Sequence, residues 1–216
     1  MAPPVYRQSR VKRDEAVAER PHGVKEGLRE KRKRQLKSEL SQQAIRLFTQ
    51  KGFEETTVDD IVEPLAVSKR TLFRHFATKE DLVFAWYEDL TDELVRALQA
   101  RPKAEAPFES VCQTLLSLLH YYDENPRWAL AMTRLAKTTP ALVGKSFEKR
   151  SVWERELAKV LAKRLPETAT RELTARVTVA AALAAFTCGI DEWSDSRGKA
   201  NVRACLDRAF SIVRNI

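Results

Sequence analysis

The chain has 216 residues, a net charge of +8 and 44% hydrophobic residues, enough apolar material for a packed core in one large domain or two small ones. Its cysteines, Cys112, Cys188 and Cys205, and its histidines, His22, His75 and His120, are scattered and form no CxxC or CxxH spacing, which argues against a structural zinc site and suits reduced, buried thiols. With no nucleophile–base motif, glycine-rich phosphate loop or metal-ligand spacing, the pattern argues against an enzyme, and no cofactor is expected.

The charge is unevenly spread. Residues 1–37 hold 12 Lys or Arg against 5 Asp or Glu, while the rest of the chain is close to neutral. A basic segment on a near-neutral body points to a polyanion, most simply nucleic acid, although a solvated tail would look the same. Residues 1–24 carry few apolar side chains and three prolines and read as unstructured. We expect a basic arm over 1–30, a DNA-binding unit over 31–82 and a helical unit over 83–216. A helix begins between Lys25 and Arg34. Its apolar face carries Leu36, Leu40, Ala44, Leu47 and Phe48, and Gly52 ends it. Cations at a helix N-terminus oppose the dipole. The placement of Lys31, Arg32, Lys33 and Arg34 makes sense if they meet phosphates, so Arg32 and Arg34 are candidate DNA contacts; a charged, fraying helix end is the alternative.

From Thr56 to Leu82 the chain reads TTVDDIVEPLAVSKRTLFRHFATKEDL, two short helices around a tight turn and the start of a third. Thr57 N-caps the first, with Asp59 and Asp60 at the positive end of its dipole. Ile61 and Leu65 form its apolar face. Ser68 caps the second helix, SKRTLFRHF, which Leu72 and Phe76 anchor. Lys69, Arg70, Thr71, Arg74 and His75 point mostly outward, as suits a helix that reads the major groove. Arg70 and Thr71 are expected to reach base edges; Thr57, Lys69, His75 and Lys79 are expected mainly to hold phosphates, with Ser68 beside them. Thr78 and Asp81 read as a variant capping box. TTVDDI, VSKRTLFRHF and TKEDL resemble, without a gap from about Leu36, the DNA-binding domain of the TetR family of bacterial transcriptional regulators. Two positions depart from that pattern: Ala66 stands where the turn normally carries glycine, and Pro64 sits late in the first helix. The resemblance implies a helix-turn-helix that binds double-stranded DNA; a motif that only packs is the alternative.

Beyond Leu82 the pattern is helical, with prolines as punctuation and no strand alternation. The expected fold is all-α with about nine helices. Leu82, Trp86, Leu90, Leu94 and Leu98 predict one long connecting helix. Further helices are predicted over 108–123, from Pro126, from Pro140 to about Leu165, over 169–193 and over 200–213. TTPALVGKSFEKRSVWERELAKVLAKRL resembles the ligand-binding domain of TetR-type regulators grouped as acyl-CoA-like binders. That implies an apolar pocket for a small effector. The expected lining is Trp86, Val111, Leu115, Trp128, Trp153 and Phe186, with Phe84, Tyr87 and Phe147 as further aromatic candidates. VTVAAALAAF, residues 177–186, is apolar all round and must be buried on several sides. A homodimer interface is expected through Val179, Leu183, Phe186, Leu206 and Phe210; the alternative places both helices inside one monomer's core. The longest apolar stretch, Val177 to Ile190, is short for a bilayer, and no signal-peptide pattern stands at the start, so the expectation is a soluble cytoplasmic protein without a membrane partner. Together these readings describe an effector-responsive repressor on a palindromic operator, or a ligand-independent architectural DNA-binding dimer.

Overall fold

The structure, a computed structural model, describes residues 27–85 and 87–215. Among these residues there is no strand, and ten α-helices follow in order. The first, α1 (Leu28–Lys51), buries Leu40, Ala44, Ile45 and Phe48, and Gly52 ends it at φ +95° with its amide on the Phe48 carbonyl at 3.1 Å. Positive φ favours glycine at such a helix end.

The next helix, α2 (Val58–Val62), starts in a full capping box: Thr57 Oγ1 accepts from the Asp60 amide, and the Asp60 carboxylate accepts from the Thr57 amide at 2.7 Å. Pro64 has no amide to donate, and the chain tightens there into a 3-10 turn over Glu63–Leu65. Ala66 follows at φ 52°, ψ 36°, in the left-handed region. The Val67 amide donates to the Val62 carbonyl and the Ala66 amide to that of Glu63, which makes the turn a Schellman motif with an alanine in the usual glycine position. Then α3 (Lys69–His75) begins at Ser68, whose Oγ accepts from the Thr71 amide at 3.1 Å. Thr78 and Asp81 exchange hydrogen bonds ahead of a 3-10 turn over Glu80–Leu82.

The single helix predicted from Leu82 to Leu98 is not continuous: regular α4 spans Tyr87–Ala100. Leu82, Val83 and Phe84 are consecutive and all buried in the N-terminal core, whereas one helical stripe accepts residues three or four apart. Ser41 Oγ also draws the Leu82 carbonyl toward α1 at 2.6 Å. Proline opens α5 (Pro107–Leu116), α7 (Pro126–Thr138) and α8 (Pro140–Ala162). The helix predicted over 108–123 is broken at Ser117 and Leu118, where amides reach back three residues, into α5 and α6 (Leu119–Glu124). Counting that bent pair as one gives the expected nine.

Two long helices close the chain, α9 (Arg171–Asp195) and α10 (Val202–Arg214). They approach so closely that a Cβ on Gly189 would lie 2.8 Å from Leu206 Cδ2 and 3.0 Å from Leu206 Cα. By length and apolar content α9 could cross a membrane, against the expectation of a stretch too short to do so. In the fold it is a core helix that packs on α5, α8 and α10 and buries Ala175, Val179, Ala182, Leu183 and Phe186.

The apolar residues form two clusters. The N-terminal one joins α1, α2, α3 and residues 82–84, and it also takes in Met132 of α7 and Leu142 of α8. The second fills the space between α4, α5, α8, α9 and α10. The DNA-binding unit is therefore seated on α7 and α8 by shared core, not joined through the chain alone.

Candidate nucleic-acid interface and ligand cavity

The outward face of α3 carries Lys69, Arg70 and Arg74, all exposed. Its inner face is held by buried Leu72, with Phe76 buried beyond the helix end. Lys69 Nζ lies 2.7 Å from Asp59 across the turn. Ser68 and Thr71 share a hydroxyl hydrogen bond of 2.9 Å, and Thr57 Oγ1 also donates to Asp60 at 2.7 Å. Thr57 thus caps α2, and Ser68, joined to Thr71, caps α3. The Lys51 ammonium and the Thr57 bonds hold the Asp60 carboxyl well below the usual carboxylate range.

Arg32 and Arg34 are exposed on the first turns of α1. His75 is half-buried; burial, aided by the charges of Arg74, Lys37 and Lys33, holds its imidazole below 6.5. The same surroundings favour its uncharged form.

Lys79 departs most from expectation. Its ammonium turns inward, donating to the Phe53 carbonyl at 2.7 Å and the Thr56 carbonyl at 3.3 Å, and it sits 4.2 Å from the Phe53 ring centre. It staples the loop between α1 and α2, because those carbonyls lie past a helix end and need donors. Sequence reading also passed over Phe73. It lies between Arg70 and Arg74 and remains 50% exposed, an apolar group suited to a thymine methyl. Its spacing from Leu72, one residue off the anchoring stripe, was the available signal.

A cavity of about 290 Å³ lies between α4, α6, α7, α8 and α9. Trp128, Trp153 and Phe186 line it, as do Phe84, Tyr87 and Phe147. Val111 and Leu115 do not; they are fully buried in the core behind it. Trp86 lies outside the described residues. Tyr121 and Tyr122 of α6 complete an aromatic wall that the sequence did not single out. Tyr87 and Trp153 stack at 4.7 Å with 17° between their planes, and Trp153 Nε1 donates to Thr91 Oγ1 at 3.0 Å. Burial pushes the Tyr87 phenol up to about 12. The polar groups on the wall include Arg150, Thr187, Lys137 and Asp191. A second, charged groove between α8 and α9 is lined by Glu154, Arg155, Lys159 and Arg176.

The residues expected at a dimer interface are not on the surface. Val179, Leu183, Phe186, Leu206 and Phe210 are all buried within the single chain. Since α9 is apolar all round, its neighbours choose its inner face, and α5, α8 and α10 cover the side that holds Val179, Leu183 and Phe186. The opposite stripe stays exposed and carries Leu173, Val177, Ala184 and Cys188; Ile212 of α10 is 64% exposed.

Residues 40–86 match the family described as bacterial regulatory proteins, tetR family, and residues 105–215 match the MftR C-terminal domain. The transcriptional regulator TcmR of Streptomyces glaucescens is 31% identical over 144 residues, 64% of each chain. The transcriptional repressor KstR2 of Mycobacterium tuberculosis is 30% identical over 105 residues, 43% of this chain and 52% of its own. The chain thus spans less than two thirds of the length of these curated relatives. Among solved structures, a TetR-family regulator from Syntrophomonas wolfei has a TM-score of 0.58 at 14% identity, covering 84% of this chain and 93% of its own. One from Mesorhizobium loti has 0.54 at 18%, covering 84% and 95%. FadR of Thermus thermophilus, in complex with lauroyl-CoA, has 0.50 at 18%, covering 82% and 92%. At these identities the likeness is one of fold. With a capped helix-turn-helix at its head, an all-helical body behind it and both halves matched, the chain belongs to the TetR family of bacterial transcriptional regulators.

Proposed function

We propose that the protein is a cytoplasmic, homodimeric repressor that holds a palindromic operator and releases it when a small, largely apolar effector fills the cavity. Phe84, Trp128 and Met132 carry this reading, because each borders the cavity and also packs in or against the core of the DNA-binding head. A ligand that repacks these side chains moves the seat of the head. Lys145 of α8, next to the cavity residues Ser146 and Phe147, pairs with Asp81 at 3.0 Å, and Asp81 itself accepts from the Thr78 amide. Movement of α8 therefore reaches the end of the motif by a second route. This replaces the continuous long helix as the connection, since α4 begins only at Tyr87.

Arg70, Arg74 and Phe73 are the base-facing group, and Lys69, Arg32 and Arg34 the phosphate-facing one. Two copies joined along the exposed α9 and α10 stripe would place their α3 helices in successive major grooves. An effector shifts the balance only through differential affinity for the bound and released spacings, typically about 1–3 kcal/mol, or a 5- to 150-fold change in operator affinity.

The test is mass spectrometry of denatured protein to identify a co-purifying ligand. Adding that compound back to the operator complex should raise the apparent operator Kd. No change with the cavity occupied would leave an architectural DNA-binding dimer as the better reading. A monomer at micromolar concentration would overturn the proposal as a whole.

A further inference from the structure

The cavity's wall is chemically lopsided. Its apolar part is dominated by rings contributed from five helices: Tyr87 of α4, Tyr122 of α6, Trp128 of α7, Trp153 of α8 and Phe186 of α9. Two of these, Tyr87 and Trp153, already lie nearly parallel. An aliphatic tail gains from such a wall only in proportion to the area it buries. A planar ring gains the offset-stacked and edge-on contacts that aromatic pairs favour as well. At about 290 Å³ the space is at the small end for a ligand pocket.

The two cations on the wall differ. Lys137 is neutralised by Asp191 at 3.4 Å and Asp195 at 3.0 Å. Arg150 is half-buried, and among the described residues no carboxylate lies within ion-pair distance of it. Its contacts are a long hydrogen bond to Thr187 Oγ1, 3.4 Å, and the face of Phe147 at 4.9 Å. Its charge also reaches the Tyr87 phenol, which it pulls down against the rise caused by burial. A partly desolvated guanidinium on the wall of an aromatic cavity, with no carboxylate beside it among the described residues, is a fork for an anionic oxygen.

Resting on the reading of this cavity as the effector site, we propose that its ligand is a planar, multi-ring aromatic compound bearing one anionic oxygen, carboxylate or phenolate, which Arg150 receives while the rings slot between Tyr87, Trp128 and Phe186. An aliphatic acyl chain, such as that of the lauroyl-CoA bound to the FadR chain of similar fold, gains less from this wall.

The test is calorimetric titration of the full chain, without DNA, by three probes: anthracene-2-carboxylate, anthracene-2-carboxamide and dodecanoate. The carboxylate should bind about 10- to 100-fold more tightly than the carboxamide, and dodecanoate should be the weakest. Arg150→Gln should bring the carboxylate down to the level of the carboxamide and leave the carboxamide unchanged. Should Arg150→Gln fail to fold by circular dichroism, Arg150→Lys, which keeps the charge and loses the fork, should retain only part of the preference. The wild-type ranking stands as a test in either case. Dodecanoate binding tightest, carboxylate and carboxamide binding alike, or no binding of either anthracene would overturn the proposal. Ranked binding that leaves an operator complex intact would uphold the ligand class and refute the effector reading alone.

Discussion

Ala66→Gly probes one of the two positions among the described residues, with Arg197, where a non-glycine residue holds a left-handed backbone. Ala66 sits at φ 52° in the Schellman turn between α2 and α3. For a residue with a Cβ the left-handed conformation costs about 1–2 kcal/mol. Glycine removes that cost but brings a more flexible unfolded chain, at about 0.5–1 kcal/mol. The methyl is exposed, so its loss sacrifices little burial. The balance is a stabilisation of about 0.5–1 kcal/mol. Urea unfolding followed by far-ultraviolet circular dichroism should show a higher midpoint at unchanged slope, and the thermal midpoint should rise by about 1–4 °C for a chain of this size. Operator affinity should stay within about twofold, because the turn already has the shape that glycine prefers. A lower urea midpoint would refute the argument, since it would mean that the left-handed turn is not strained or that the methyl packs.

Arg70→Ala should lose about 1–3 kcal/mol of discrimination at one base pair of the operator; an unchanged preference in a selection experiment would remove Arg70 from the reading role. Lys79→Met should destabilise the head by about 1–2 kcal/mol, since two carbonyls lose a charged donor, and should leave the salt dependence of DNA binding as it was; a salt slope shallower by about one would show a phosphate contact instead. Val177→Asp, on the exposed stripe of α9, should shift a dimer toward monomer in sedimentation velocity without lowering the thermal midpoint of the monomer. Val179→Asp should instead unfold the body, and equal effects of the two would refute the assignment of faces. Because His75 is held below 6.5 in the folded chain, the folded state binds fewer protons than the unfolded one. Stability is therefore full above about pH 6.5 and falls as pH drops through that value. His75→Gln should flatten that slope in urea titrations between about pH 7 and 5.

Local chemistry made the head legible in sequence. The caps at Thr57 and Ser68, the Gly52 stop and the anchoring pair Leu72 and Phe76 act through neighbours three or four residues apart, so spacing alone specifies them. Lys79 and the residues from Leu82 to Phe84 were not legible in that way. Whether an ammonium faces solvent or the carbonyls of Phe53 and Thr56 depends on a loop more than twenty residues distant, and three consecutive apolar residues break a helix only because the head's core takes all three. Composition specified that α9 must be buried and left open which side faces inward. A helix apolar all round carries no periodic signal, and only the placement of α5, α8 and α10 turned Val179, Leu183 and Phe186 into the core and left Leu173 and Val177 outside. The cavity follows the same logic: Trp128, Trp153 and Phe186 were foreseeable as large rings, but Val111 and Leu115 are identical in pattern to lining residues and lie behind the wall. Helical period determines which residues share a face, and only tertiary packing determines what that face meets.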